Sequence, residues 1–216
     1  MLVEQMLVGN MAVFCYIVAC EEEKQGLIID PAGDEPHILA RVKEMGLTIK
    51  YVVNTHAHGD HTCGNSVIMA KTGAPLVVHV DDADQMVTHM NTAFVMALGK
   101  QPSPKPGILV RDGDILRIGG SQLKVIHTPG HSPGSMCLYG EGNLFTGDTL
   151  FVGAVGRTDL GGGSFDVLIN SLRKLLTLPP ETKVWPGHDY GNRPVSTLGI
   201  EMRTNPYITD FALGGR

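Results

Sequence analysis

The heptapeptide Thr55-His56-Ala57-His58-Gly59-Asp60-His61 places three imidazoles and one carboxylate within six residues. Neither a helix nor a strand needs such a run for packing. Three neutral nitrogen donors and one hard oxygen donor this close together are what a divalent metal site requires. Three further segments share a simpler pattern, a β-like run, then a turn, then a histidine or aspartate. They are Thr128-Pro129-Gly130-His131, Thr146-Gly147-Asp148-Thr149 and Trp185-Pro186-Gly187-His188. In α/β folds, loops at strand ends carry the site chemistry on a rigid scaffold. The combined donors are His56, His58, Asp60, His61, His131, Asp148 and His188. One catalytic zinc ion takes about three protein ligands. Seven suit two ions, and two ions ~3.5–4 Å apart need a carboxylate or hydroxide shared between them.

The elements that must position these residues alternate along the first half. Residues 11–20 are rich in β-branched and aromatic side chains and predict a strand. Gly26 to Asp30 predicts a second, ended at Asp30-Pro31 because proline has no N–H for a ladder. Ile38, Leu39, Val42 and Met45 share one helical face over 35–45, and Gly46 stops it. Tyr51-Val52-Val53 predicts a buried strand whose end delivers the histidine cluster. A helix over 64–72 and a strand from Pro75 to Val80 continue the alternation, which predicts a layered α/β fold. Residues 82–98 predict a helix with Met86, Met90, Phe94 and Ala97 along one stripe. Core packing is the default for such a stripe, and a cover over a binding site is the sharper alternative. Pro102-Ser103-Pro104-Lys105-Pro106 predicts a loop.

The second half is richer in strands, predicted over Leu123 to His127, Ser135 to Tyr139 and Asn143 to Thr146. Phe165, Leu168, Ile169, Leu172, Leu175 and Leu176 mark an amphipathic helix with Ser164 as N-cap. Lys183-Val184-Trp185 predicts a last strand. There is no repeat, low-complexity stretch or long linker, so one domain is expected.

The 216 residues are 43% hydrophobic and 18% charged, a composition that can bury a sizeable core. The net charge of −5 argues against a nucleic-acid surface. The run Glu21-Glu22-Glu23-Lys24 predicts a solvated turn. Cys15, Cys20, Cys63 and Cys137 form no CxxC pair and predict interior thiols in a reducing compartment. Cys63, two residues past the cluster, is placed to line the site. The N-terminus lacks the basic start of a signal peptide, and the apolar run from Ala12 to Cys20 is too short to cross a bilayer. A cytoplasmic protein with no membrane partner is expected.

The motifs THAHGDH (55–61), TPGHSPGS (128–135), GDT (147–149) and PGHDY (186–190) resemble, in this order, those of the metallo-β-lactamase superfamily. Within it they are most similar to the glyoxalase II, or hydroxyacylglutathione hydrolase, branch, and Asp30-Pro31 fits the early strand ending of that family. The resemblance implies an α/β fold of the metallo-β-lactamase type, an αβ/βα four-layer sandwich in a single domain spanning 1–216, with metals at one edge. It implies that His56, His58 and His131 hold a first ion, that Asp60, His61 and His188 hold a second, and that Asp148 links them. His127 fits no ligand position and reads as outer support, while His37, His79 and His89 read as bystanders.

Two divalent ions, whether zinc, iron or manganese, lower the pKa of bound water toward ~7. A metal-bound hydroxide then attacks a carbonyl, with Asp60 orienting it and Asp148 linking the ions. A thiolate (pKa ~8.5 for an ordinary thiol) leaves with little protonation help. The expected reaction is therefore hydrolysis of a small-molecule thioester at a dinuclear site. Tyr190 matches a tyrosine that contacts glutathione in glyoxalase II and in persulfide dioxygenases. With the chain ending at 216, the helical C-terminal domain that completes the glutathione site of typical glyoxalase II is expected to be absent, together with its basic residues.

Gly156-Arg157-Thr158-Asp159 and the tail from Ser196 to Pro206 resemble both persulfide dioxygenases and the short bacterial glyoxalase II-like proteins. Persulfide dioxygenases bind one iron through two histidines and one aspartate, here His56, His131 and Asp148. They carry arginine after the Asn-Pro pair, where this chain has Tyr207. Arg157 is expected either to contact substrate or to pair with Asp159. A mononuclear iron persulfide dioxygenase is thus the alternative to the hydrolase, and a non-catalytic metal-binding protein is a third reading. The His-rich set, without the cysteine of a lactamase site, argues against β-lactam hydrolysis, and the acidic chain argues against an RNA-processing nuclease.

Overall fold

In the computed structural model, which describes residues 1–214, the chain builds two six-stranded sheets. Strands β1 (Leu2–Val8), β2 (Val13–Cys20) and β3 (Gln25–Ile29) form an antiparallel meander. Helix α1 (Glu35–Glu44) crosses to β4 (Thr48–Val53), which runs parallel to β3. Helices α2 (Gly59–Thr62) and α3 (Asn65–Thr72) lead to β5 (Leu76–His79). Helices α4 (Ala83–Met86) and α5 (His89–Ala97) lead to β6 (Ile108–Val110), again parallel. The first sheet has the order β1-β2-β3-β4-β5-β6.

The second sheet starts with β7 (Ile115–Ile118), β8 (Ser121–His127), β9 (Met136–Gly140) and β10 (Asn143–Gly147), all antiparallel. A small ribbon of β11 (Leu150–Phe151) and β12 (Ala154–Val155) follows. Helix α6 (Phe165–Leu175) returns the chain to β13 (Lys183–Pro186), which runs parallel to β10. Strand β14 (Ser196–Thr197), helix α7 (Leu198–Thr204) and a π-helical turn at Ile208–Ala212 close it. The order is β14-β13-β10-β9-β8-β7.

Side-chain direction explains the layers. Every residue of β2 is buried, as expected for a strand covered on both faces. Its Cys15 and Ile17 meet Ile38 of α1 and Ile68 of α3 on the outer face. Its Phe14, Tyr16 and Val18, with Val53 and Val77 of the same sheet, pack against Leu123, Val125, Leu138 and Phe145 of the other. Beyond the second sheet, Leu172 and Leu175 of α6, with Leu198 and Ile208, cover Leu144 and Val184. Helix, sheet, sheet and helix stack as the αβ/βα arrangement expected, in one domain.

One predicted element is different. The helix expected over 82–98 is broken at Val87-Thr88, where Thr88 Oγ1 accepts from Asn91 N (3.3 Å) and caps α5. Met86 is buried, but Met90 is 83% exposed and Phe94 40% exposed. Beyond Met86 the stripe is therefore not core. Helix α5 is short and rests on α2, so only Val95 of its residues is buried. Among the described residues no helix is long and apolar enough to cross a membrane. All four cysteines are free and buried.

Candidate metal centre

The seven donors converge where strand ends of both sheets meet. β4 ends at Val53, and its extension carries Asn54 to His58 to the edge. His58 stands at the N-terminus of α2, so Asp60 and His61 follow on one tight turn. Gly59 lets that turn approach α5, since a Cβ there would lie 2.6 Å from Phe94 Cδ1. The loop after β8 delivers His131, the turn after β10 delivers Asp148 and the end of β13 delivers His188. Gly147 has φ +47°, and a Cβ on it would meet Thr55 Oγ1 at 2.4 Å. The turn thus needs glycine both for its backbone and for its closeness to the first sheet.

Two trios and one shared residue result. His56, His58 and His131 gather on one side, with His58 Nδ1 2.9 Å from His131 Nε2. Asp60, His61 and His188 gather on the other, with His61 Nε2 3.1 Å from His188 Nε2 and Asp60 Oδ2 3.5 Å from His188 Nε2. Asp148 lies between them. Its Oδ2 is 3.5 Å from His131 Nε2 and 3.4 Å from His188 Nε2, and its Oδ1 is 3.3 Å from His61 Nε2. Donors ~2.0–2.1 Å from a tetrahedral ion sit about 3.3 Å from each other, so these spacings fit. Two buried atoms in the middle, His56 Nε2 and Asp148 Oδ1, complete no hydrogen bond. Leaving such groups unpaired costs roughly 1–3 kcal/mol each, which a cation bound there would offset.

Outer partners aim the rings. His131 Nδ1 faces Arg157 O at 2.7 Å and His188 Nδ1 faces Met11 O at 2.9 Å. His61 Nδ1 faces Asp30 Oδ2 at 3.0 Å. These acceptors fix the proton on Nδ1 and turn the Nε2 lone pair inward. Thr55 Oγ1 donates to Asp30 Oδ2 (2.7 Å) and so is free to accept from His56 Nδ1 (3.1 Å). His58 alone turns Nδ1 inward.

Charge follows the same division. Burial, then the neighbouring His131, pushes His58 down to about 4. Burial and His61 hold His56 well below the usual imidazole range. Burial also opposes the charge on His188, but hydrogen bonds to Asp148 and Asp60 override it and raise it to about 9. His61 is raised in the same way, burial being outweighed by Asp148, Asp60 and Asp30. Asp148 is held well below the carboxylate range because His61 and His188 overcome its burial. His56 and His58 are thus neutral and ready for a cation, while His61 and His188 hold protons a cation must displace.

Two buried carboxylates were not among the residues singled out from the sequence. Asp30, at φ +48°, accepts from Thr55 N and Thr55 Oγ1 besides its contact with His61. Asp82 accepts from Ala57 N (2.8 Å), Ser132 Oγ (2.7 Å) and Gly134 N (2.6 Å), and so ties the 55–61 loop to the 128–135 loop. The Asp30-Pro31 strand ending was the signal for the first, and nothing local marked the second.

The remaining expected residues divide. Tyr190 stacks on His188 (ring centroids 4.5 Å, planes 8° apart) and is 59% exposed, so its face borders the centre. The Arg157 guanidinium is held by Asp159 at 2.6 and 2.7 Å on the surface, while its carbonyl supports His131. Cys63 is buried, its Sγ 3.6 Å from Asp60 O, and burial raises its thiol to about 11, so it is wall and not nucleophile. His127 stays outside, with Nε2 2.8 Å from Pro133 O. His79, Asp81 and His127 also draw together, but the two rings stack at 3.9 Å with planes 12° apart. Imidazole lone pairs lie in the ring plane, so stacked rings cannot both point at one ion.

Two facing sheets clad by helices, with histidines and aspartates crowded at one edge, define a class of metal-dependent hydrolase scaffold. The chain belongs to the metallo-beta-lactamase superfamily, whose sequence model matches residues 8–188. Within it, the similarities support the glyoxalase II-like branch. The hydroxyacylglutathione hydrolase of Nitrosococcus oceani is 35% identical, covering 95% of this chain and 72% of that protein. Among solved structures, BLEG-1 B3 metallo-beta-lactamase superposes with TM-score 0.87 at 32% identity, covering 96% of this chain and 100% of the other. ETHE1 from Myxococcus xanthus gives 0.81 at 33%, covering 98% and 85%. TTHA1623 in a di-iron-bound form gives 0.83 at 34%, covering 95% and 100%. Divalent metal binding is a property of this superfamily.

Proposed function

We propose that the protein is a dinuclear metallohydrolase that cleaves small-molecule thioesters. The observation that carries this reading is Asp148, whose two oxygens reach toward both trios at 3.3–3.5 Å. His56, His58 and His131 would hold one divalent ion and Asp60, His61 and His188 the other, with Asp148 common to both. When bound, the two ions supply Lewis acidity, activating water near neutral pH and polarising the scissile carbonyl. The chain's own residues do the positioning. Asp60, 16% exposed at its side chain, is the donor open enough to accept a proton from attacking water. Asp30, Met11 O and Arg157 O keep three Nε2 lone pairs aimed inward. The exposed face of Tyr190 beside His188 offers a flat wall to the leaving thiol. A thiolate departs near neutral pH without a dedicated acid, and the centre has none to spare.

Metal content and three assays on one preparation test the reading. About two ions per chain with thioester cleavage is the expected result. One iron per chain with persulfide-dependent oxygen uptake would replace it with the mononuclear alternative at His56, His131 and Asp148. β-Lactam cleavage without thioester cleavage would move the substrate toward that of BLEG-1.

A further inference from the structure

Ala57, fully buried, separates the donors His56 and His58. Its main chain is gripped at both ends by side chains from one segment. The N–H donates to Asp82 Oδ2 (2.8 Å), and the carbonyl accepts from Asn91 Nδ2 (2.9 Å). The same nitrogen donates to Met86 O (3.0 Å), so both of its N–H groups are used. A peptide unit is planar, and the carbonyl of Ala57 shares its plane with the nitrogen of His58. Asn91 therefore holds the plane from which the His58 side chain starts.

His58 needs that hold more than the other histidines do. His56, His61, His131 and His188 each set the outer ring nitrogen against an oxygen. His58 turns Nδ1 toward His131, and among the described residues no hydrogen bond engages its Nε2. A ring without an outer polar partner is aimed by its backbone and its packing.

Helix α5 supplies the hold. Only Val95 of its residues is buried, and Met90 and Phe94 are exposed, so core packing does not account for where it lies. It approaches the metal loop at Gly59, where an added Cβ would come within 2.6 Å of Phe94 Cδ1 and 3.0 Å of Asn91 Oδ1. Resting on the assignment of His56, His58 and His131 to one ion, we propose that Asn91 is a positioning residue for that ion. It acts on His58 through the Ala57 carbonyl, and α5 stands where it does to deliver it.

The test is a double-mutant cycle read by titrating metal-free protein with cobalt(II). Asn91→Leu keeps the size and removes both donors. It should weaken the ion that His58→Ala also weakens, by about 10–100-fold, and shift the visible absorption of that ion, while the other ion binds as before. His58→Ala/Asn91→Leu should bind no more weakly than His58→Ala, because with the ring gone the carbonyl has nothing to aim. Thr88→Ala removes the N-cap of the same helix and leaves the Asn91 side chain, so it controls for helix stability. Its melting temperature should fall while both affinities and the spectrum stay unchanged. Unaltered binding in Asn91→Leu, equal loss of both ions, additive losses in the double variant, or the same loss in Thr88→Ala overturns the proposal. If the protein cleaves no thioester, the hydrolase reading falls on its own. The cycle still decides the role of Asn91, since it reads binding and not turnover.

Discussion

Asp30 Oδ2 lies 3.0 Å from His61 Nδ1 across the two loops that follow β3 and β4. The carboxylate fixes the imidazole tautomer and raises the basicity of the nitrogen that faces the centre. Asp30→Asn keeps the shape and removes the charge. It should weaken binding of the second ion by about 10–100-fold, leaving the first ion in place. Competitive metal titration measures this, and losses shared equally by both ions would contradict the division into two trios.

Asp148 and His127 make a contrasting pair. Asp148→Ala removes the carboxylate placed between the trios, whereas His127→Ala removes a ring whose Nε2 faces Pro133 O. The first should drop metal content well below that of the second, read by elemental analysis of purified protein. Equal losses would mean the ligand assignment is wrong.

Gly187 abuts Asp148 so closely that a Cβ would stand 2.4 Å from Asp148 Oδ1. Gly187→Ala should therefore displace this carboxylate. Metal affinity should fall more than tenfold while circular dichroism still reports a folded chain. Full metal occupancy in this variant would show that Asp148 is not a ligand.

The metal-free protein should be most stable near pH ~6.5, the ordinary imidazole value. His58 takes its proton only at about pH 4 when folded, so between ~6.5 and 4 the unfolded chain binds more protons and acid destabilises. His188 keeps its proton up to about pH 9. Its contribution is complete below ~6.5 and is lost as pH rises through 9. Thermal melts of chelator-treated protein across this range should show the maximum. With metal bound, the alkaline loss should vanish, because ligation needs deprotonated imidazoles. A flat metal-free profile would sink the charge division between the trios.

Met86 and Met90 belong to the same sequence stripe but to different environments. Met86→Ala should cost about 2–5 kcal/mol as a buried cavity mutation. Met90→Ser, on the surface, should stay within about 0.5 kcal/mol. Urea unfolding separates them, and equal costs would place both in the core.

Much of the fold was legible because buried elements announce themselves, a strand covered on both faces by an unbroken apolar run and a helix buried on one side by its period. β2 is an unbroken apolar run, and α6 repeats Leu168, Leu172 and Leu175 on its inner face. The elements that carry no such signal went unread. β1 is half-buried along most of its length, β6 has three residues, and α7 is a short tail helix. The stripe over 82–98 misled because its period was real while the partner surface was missing. Helix α5 rests mainly on the short helix α2.

The sequence by itself determined the donor set and its grouping along the chain, since histidine and aspartate are chosen for chemistry and their crowding has no packing purpose. What tertiary structure alone decided is the geometry among them. Asp148 comes between trios drawn from both sheets, and Asp30 and Asp82, distant along the chain, hold the loops in register. Those relations depend on which strand ends meet at one edge, a consequence of sheet order and close packing that local spacing does not encode.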